Sequence, residues 1–446
     1  MNISVRDCSP LQPQPTPPEA NWLRRFASEV RPSEHIVGLG GDRDNDDQVV
    51  YCERDGTWWA GRYVGTLTFE GGRLTILPRF GIEILRNWLL QVSNVALIET
   101  PGQIHEDKVF IVQLLATVWA RSFVEAARHG LPALRQDVRS SGRVIRGRLD
   151  VGESLRLIEA GSLNLVSFRR ERSLNNAVSR VIIAAYAVLR QWMGHGTEDR
   201  WLPPRARQLV SDLLAITGPR PAVPSKTELD RIRYTPITAS FKTVAEISRQ
   251  IANRKGLASD SSPEGMCQGV LLDVAELWEL YVLAALRRAG VGFEVKSGTK
   301  DSDSTDVLLK SESTGKTMGL LKPDALVFYQ RKVIGILDAK YKRLLPSQLA
   351  PNGPQRDDLY QITSYLTRYG RFEPIWGVLA YPEEKVEGRF SPAEAGNPWL
   401  LDSTRSLFFI TLPHSIDKAA QKLRDMVFTQ CGSEIRRKVK SSFKVS

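Results

Sequence analysis

The sequence predicts a multidomain protein combining α+β and α/β organisation: a β-rich amino-terminal domain, a mainly helical middle and a carboxy-terminal mixed sheet flanked by helices. Three observations predict it. The chain has 446 residues, too many for one ordinary domain. Strand-like text around a Gly-Gly turn gives way near residue 100 to long stretches of helical apolar spacing. Beyond residue 260 the order becomes helix, several strands, then alternating helices and strands, as in a mixed sheet covered by helices.

In chain order, "CSPLQPQPTPPEA" is so dense in proline that residues 1–18 are expected to form a disordered leader. Residues 19–100 form the β-rich domain, in which "YVGTLTFEGGRLTILPRFG" reads as two strands around Gly71-Gly72. Residues 101–260 are read as mainly helical, with "VFIVQLLATVWARSFVEAARHG", "SLNNAVSRVIIAAYAVLRQWM" and "WLPPRARQLVSDLLAITG" as the main helices. The Ser-, Gly- and Pro-rich "LASDSSPEGMCQG" marks a boundary, and residues 261–430 form the last domain. It opens with an apolar helix from Val270 to Ala289. Strands follow near Phe293–Lys296 and Thr305–Leu309, then a hairpin, a helix over "RDDLYQITSYLTRYG", strands over "IWGVLAYP" and "SLFFITLP", and a final helix near Ser415–Phe428. Residues 431–446 are a basic tail.

Composition narrows the function classes. A formal charge of +11 and a pI near 9.5 suit a polyanionic partner, without requiring one. Four scattered cysteines without a CxxC pair offer neither a zinc site nor a disulfide framework. No apolar run is long enough to span a bilayer, so the expected location is the cytoplasm, with no membrane partner. No GxxxxGK[ST] pattern is present, so any nucleotide-driven motor would lie on another chain.

The chemistry concentrates in the hairpin "LKPDALVFYQRKVIGILDAKYKRLL". Asp324 follows Pro323 on one strand, and Asp338 and Lys340, two apart, share a face at the end of the other. Carboxylates on paired strands come within about 5 Å and repel unless a cation intervenes. Mg2+ (or Mn2+) relieves that repulsion, because it takes oxygen ligands and keeps waters for a phosphate to displace. An exposed edge strand would explain the polar positions equally, but the apolar run "VIGIL" argues for a buried strand whose charged end needs a reason. In "VLLDVAELWELYVLAALRRA" the acids Asp273, Glu276 and Glu279 recur every three residues, as a metal-facing arc or as an exposed acidic stripe. Asp358, Tyr360, Gln361 and Tyr365 lie on the helix after the hairpin, with Gln361 placed to orient water or phosphate. Lys332, Lys342 and Arg343 are candidates for a basic groove.

Pro323-Asp324, thirteen intervening residues, then Asp338-Ala339-Lys340 resembles the PD-(D/E)XK nuclease motif. The wider pattern is similar to the McrC family, the nuclease subunit of modification-dependent (5-methylcytosine) restriction systems. It is carried by "LTILPRFG", "RGRLD", "SFRRERSLNNAVSRVI", "LLDVAELWELYV", "PDALVF", "LDAKYK" and "DLYQITSYLTRYG", in family order between about residues 60 and 385. The resemblance implies a restriction-endonuclease-like carboxy-terminal fold that cuts double-stranded, methylated DNA. It implies Asp324, Asp338 and Glu279 as metal ligands, with Glu276 as competitor, and Lys340 and Gln361 as further catalytic residues. It also implies a partner, an McrB-like AAA+ GTPase ring stimulated by the amino-terminal part; the turn at Glu70–Arg73 is the candidate contact. The first fifty residues match nothing in the family pattern. An adaptor with an inactive nuclease fold, or a stand-alone repair nuclease, are the competing readings.

Overall fold

The computed structural model describes residues 1–30, 36–37, 47–93, 106–193, 199, 201–253, 268–290, 293–298, 306–344, 353–371, 373–384 and 391–430. The chain divides into two units, one built from Met1–Asn94 with Ser261–Ser446 and the other from Val95–Asp260. The basic tail lies outside the described residues.

The amino-terminal part contains β1 (Asn2–Arg6), α1 (Pro17–Glu29), β2 (Ile36–Val37), β3 (Val50–Cys52), β4 (Trp58–Ala60), β5 (Tyr63–Phe69), β6 (Gly72–Leu77) and α2 (Ile82–Ser93). The leader expected to be disordered is ordered. β1 runs parallel to β6, from Asn2 beside Arg73 to Arg6 beside Leu77, and Val5 and Leu11 enter the core. The prolines fall after the strand, and Pro17 and Pro18 occupy the first helical turn, where a missing N–H costs nothing. Thr16 N–H donates to Glu19 Oε2 at 2.8 Å to close the capping box. The β5–β6 turn is centred one residue earlier than the Gly-Gly pair suggested, on Glu70 (φ 45°) and Gly71 (φ 72°). Gly72 already pairs with Phe69, and a Cβ there would lie 2.5 Å from the Trp22 ring. That close approach lets α1 set Trp22 and Phe26 against the sheet, with Trp22 Nε1 donating to Phe69 O at 3.0 Å.

The second unit contains α3 (Glu106–Ala126), β7 (Leu134–Gly142), β8 (Arg148–Asp150), α4 (Val151–Glu159), β9 (Leu165–Ser173), α5 (Ala177–Met193), α6 (Pro204–Thr217), α7 (Lys226–Asp230) and α8 (Phe241–Asn253). Its helices follow the expected pattern: α5 buries eleven of its residues, and Trp119 Nε1 donates to Ser248 Oγ at 2.9 Å to tie α3 to α8. The strands are a correction. β7, β9 and β8 form an antiparallel sheet running from Leu134 opposite Ser173 to Gly142 opposite Leu165. Arginines occupy so many positions of "LVSFRRERS" that apolar alternation is hidden.

The carboxy-terminal part contains β10 (Gln268–Asp273), α9 (Val274–Ala289), β11 (Glu294–Lys296), β12 (Asp306–Lys310), β13 (Thr317–Leu321), β14 (Ala325–Tyr329), β15 (Lys332–Ala339), α10 (Arg356–Tyr369), β16 (Ile375–Pro382), α11 (Pro392–Ala395), β17 (Trp399–Leu400), β18 (Arg405–Leu412) and α12 (Ile416–Gln430). The helix expected from Val270 begins at Val274, because Val270–Asp273 belong to β10, which enters the amino-terminal sheet in the order β1-β6-β5-β10-β2. Strand β10 leads directly into α9, so the amino- and carboxy-terminal parts share one unit rather than forming separate domains. The second sheet has the order β11-β14-β15-β16-β18-β17, antiparallel at β14–β15 and parallel from β15 through β16 to β18. This is the expected mixed sheet, and every residue of β16 is buried. Among the described residues no helix is long and apolar enough to cross a membrane.

Candidate active site

The hairpin β14–β15 brings its acids together. Ala325 pairs with Leu337, so Asp324 and Asp338 are the next opposed positions at the strand ends. Asp324 Oδ2 accepts the Ala339 N–H at 2.6 Å, which fixes its carboxylate across the hairpin. Lys340 lies just past β15, where its backbone N–H donates to Ala380 O at 2.8 Å. Its Nζ is 2.7 Å from Asp338 Oδ2 and donates to Gln361 Oε1 at 2.6 Å. Gln361 is held in turn, its Nε2 donating to Tyr365 Oη at 3.0 Å.

Helix α9 supplies the third acid, and its placement starts with Asp273. That carboxylate caps the helix, accepting from the N–H of Ala275 at 3.0 Å and of Glu276 at 3.3 Å. Its other oxygen meets Arg62 Nε at 3.1 Å and Nη2 at 3.0 Å. Asp273 is therefore a capping residue and not part of an acidic helix face. Trp278 Nε1 donates to Ala380 O at 3.2 Å, pinning the turn that carries Glu279 to the strand beside the hairpin.

Electrostatics shows which acids meet. Burial, then the charges of Glu279 and Asp338, push the Asp324 carboxyl well above its ordinary range. Burial, then Asp273, Glu276 and Asp338, push Glu279 up to about 8. Burial also raises Asp338, against the pull of Lys340. Lys340 remains firmly protonated: burial opposes its charge, but Asp338, Asp358 and Asp324 outweigh it. Glu279, rather than Glu276, is the helix acid whose charge Asp324 feels.

A family profile described as "McrBC 5-methylcytosine restriction system component" matches residues 59–382. The chain belongs to that family. Two solved structures from Thermococcus gammatolerans are similar to it. One is the refined half-complex from a tetradecameric assembly of McrB AAA+ hexamers with bound McrC, at TM-score 0.48 and 16% identity over 97% of this chain and 100% of that one. The other is the cryo-EM structure of the McrBC complex, at TM-score 0.31 and 15% identity over 65% of this chain and 88% of that one. No curated protein matches.

In this McrBC component the sequence-predicted groove cations are mostly committed elsewhere. Lys332 begins β15, six residues from Asp338 and so about 20 Å away along an extended strand, where it pairs with Glu373. Arg343 pairs with Glu384 at 3.1 Å. Lys342 donates to Gln355 Oε1 at 2.6 Å and Asp358 Oδ1 at 2.9 Å. The tyrosines of α10 divide, with Tyr365 buried and Tyr360 exposed. Asp358 is the residue that sequence reasoning noted without giving a role: it is buried, and its Oδ1 stands 3.7 Å behind Lys340 Nζ. Its position three before Gln361, on the same helical face, is the signal that points to it.

Among the described residues, no group of three His, Cys, Asp or Glu side chains stands in an arrangement that could hold a metal ion. Mg2+ does not require such a group, since one or two carboxylates with retained waters suffice. Asp324, Asp338 and Glu279 supply hard oxygen donors, each raised above its ordinary pKa first by burial, with the charges of Glu279 and Asp338 adding at Asp324 and those of Asp273, Glu276 and Asp338 adding at Glu279. In chemical type these carboxylates suit a hard divalent cation, although as placed they do not make a three-residue site.

Proposed function

We propose that this McrBC component is the DNA-cutting subunit of its restriction system, an Mg2+-dependent endodeoxyribonuclease of the PD-(D/E)XK type. The observation that carries this reading is the convergence of Asp324, Asp338 and Lys340 at one end of the hairpin, with the charge of Glu279 felt there and Gln361 bonded to Lys340. Asp324, Asp338 and Glu279 would hold the ion, which when bound supplies Lewis acidity and acidifies a water.

The chain's own groups account for the rest. Lys340 Nζ has three N–H bonds and donates one to Gln361, with Asp338 as its ion-pair partner at 2.7 Å, which leaves it capacity to contact a phosphate oxygen or the attacking water. Asp358, behind it, balances its charge and limits its drift. Gln361, braced by Tyr365, orients the ammonium from α10. The capped start of α9, tied to Arg62, sets where Glu279 stands.

The partner in this reading is an McrB-like AAA+ GTPase ring acting on 5-methylcytosine DNA, as family membership suggests and as the lack of a Walker A pattern in this sequence accommodates. The Thermococcus gammatolerans McrC is a chain bound to McrB AAA+ hexamers. Incubating methylated and unmethylated plasmid with Mg2+, GTP and the protein, with and without its AAA+ partner, tests the reading. Cutting that requires methylation, partner and Asp338 supports it. Cutting by the lone protein would make it a stand-alone nuclease, and stimulation of the partner without Asp338-dependent cutting would make it an adaptor.

A further inference from the structure

Between β11 and β14 the chain makes a detour, the two-stranded antiparallel ribbon β12–β13, with Asp306 paired to Leu321 and Lys310 to Thr317. It belongs to neither large sheet. Its register places Val307, Leu309, Met318 and Leu320 on one face. Leu309 is 57% exposed, Met318 68% and Leu320 53%, so this face meets solvent along its length. The opposite face carries Lys310 and Leu308, itself 45% exposed and set against Gly319, where a Cβ would lie only 2.9 Å away.

The base of the ribbon lies close in the chain to Asp324. Strand β11 ends at Lys296 beside Leu326, two residues from Asp324, and β13 ends at Leu321, three residues before it. Its base is fixed to the helix that carries Gln361: Arg368 donates to both oxygens of Asp306 at 2.9 and 3.0 Å, and Tyr369 Oη accepts the Asp306 N–H at 3.2 Å. Its far end is the turn "SEST", flanked by exposed Lys310 and Lys316. Gly315-Lys316-Thr317 is not a nucleotide-phosphate cradle, because it joins two antiparallel strands and not a strand to a helix.

We propose that this ribbon grips duplex DNA beside the scissile bond, its Leu309–Met318–Leu320 face pressed into the minor groove, with Lys316 at the tip and Lys310 from the opposite face reaching the flanking phosphates. This deepens the nuclease reading and rests on it. An exposed apolar patch on a stiff two-stranded ribbon marks a binding surface. Three exposed apolar side chains fall well short of the roughly 20 to 30 residues each partner contributes to a stable protein–protein interface, which argues against a second copy as occupant. Apolar wedges flanked by cations are a recurring way to hold and bend duplex DNA from the minor groove. The three-residue step from Leu321 to Asp324 keeps the base of the ribbon within about 10 Å of the site that would cut.

The test uses the full chain with its AAA+ partner and a fluorescein-labelled methylated duplex, with Ca2+ in place of Mg2+ to hold the substrate uncut. Binding is read by anisotropy across a salt series for wild type, Lys310→Gln/Lys316→Gln and Leu309→Ser/Met318→Ser, each first checked for unchanged Tm and NTPase stimulation. The lysine variant is expected to bind about tenfold more weakly and to lose roughly two units of salt slope. The apolar variant is expected to weaken similarly with the slope unchanged. Wild-type affinity in both variants, with wild-type cutting intact, overturns the ribbon proposal and leaves the nuclease reading standing. Absence of any wild-type binding or cutting overturns both. Sedimentation showing a wild-type dimer that Met318→Ser dissociates makes the ribbon a contact between copies and overturns the DNA assignment.

Discussion

Replacing Glu279 with Gln should make the metal-free protein more stable while disabling it. A glutamate in an unfolded chain titrates near 4.5, whereas burial beside Asp273, Glu276 and Asp338 lifts Glu279 to about 8 in the fold. Folding therefore carries no penalty from this group below pH 4.5. The penalty then grows as pH rises, because the unfolded chain is ionised while the folded one must stay protonated, and it saturates above about pH 8. At pH 7.5 the interval is three pH units at about 1.36 kcal/mol each, an upper bound of about 4 kcal/mol. Gln has the same shape and no charge, so it removes this penalty. At about 2 °C per kcal/mol for a unit of this size, the gain is at most on the order of 8 °C. Differential scanning fluorimetry in EDTA at pH 5.5, 7.5 and 8.5 should show the variant's advantage growing with pH, and excess Mg2+ should reduce it by stabilising the wild type. A variant that melts at or below wild type at every pH would refute the claim that Glu279 is buried among like charges.

The same linkage predicts that apparent Mg2+ affinity, measured by isothermal titration calorimetry, rises with pH and levels off above about 8 as protons stop competing for Glu279; a flat profile contradicts it. Lys340→Ala should lower the single-turnover cleavage rate by about 10² to 10³-fold with little change in DNA affinity, because it removes the cation proposed to contact the reacting phosphate. Asp273→Ala removes both a helix cap and the buried partner of Arg62, so urea denaturation should show a loss of about 3 kcal/mol or more; a loss below 1 kcal/mol would mean Asp273 does not anchor α9.

The hairpin is legible in the sequence because its signals agree: an apolar run long enough to be buried, with acids only at its end. Strand β10 is not, since "VLL" joins the apolar text of α9 without a break, and a short apolar run does not separate strand from helix. Asp273 followed three residues later by Glu276 carries the start signal of a helix, which decides the boundary once Asp273 is read as a cap and not as a face residue. The leader misleads because proline density excludes regular structure only in the interior of an element. Here the prolines lie between β1 and α1 and in the first turn of α1. The Arg-rich β7–β9 pair leaves no apolar alternation to read, and the commitments of Lys332 and Arg343 depend on acids about forty residues away. Asp358 needed only the spacing of one helix.

The most direct measurement is single-turnover cleavage of a methylated duplex by wild type and Asp338→Asn, each assembled with the AAA+ partner, Mg2+ and GTP, with the partner's GTP hydrolysis recorded in the same reaction. The proposed site predicts a cleavage rate lower by about 10³-fold with hydrolysis unchanged, because Asp338 is both a proposed metal ligand and the ion-pair partner of Lys340. Cleavage within a few-fold of wild type would contradict it and place the cutting centre elsewhere.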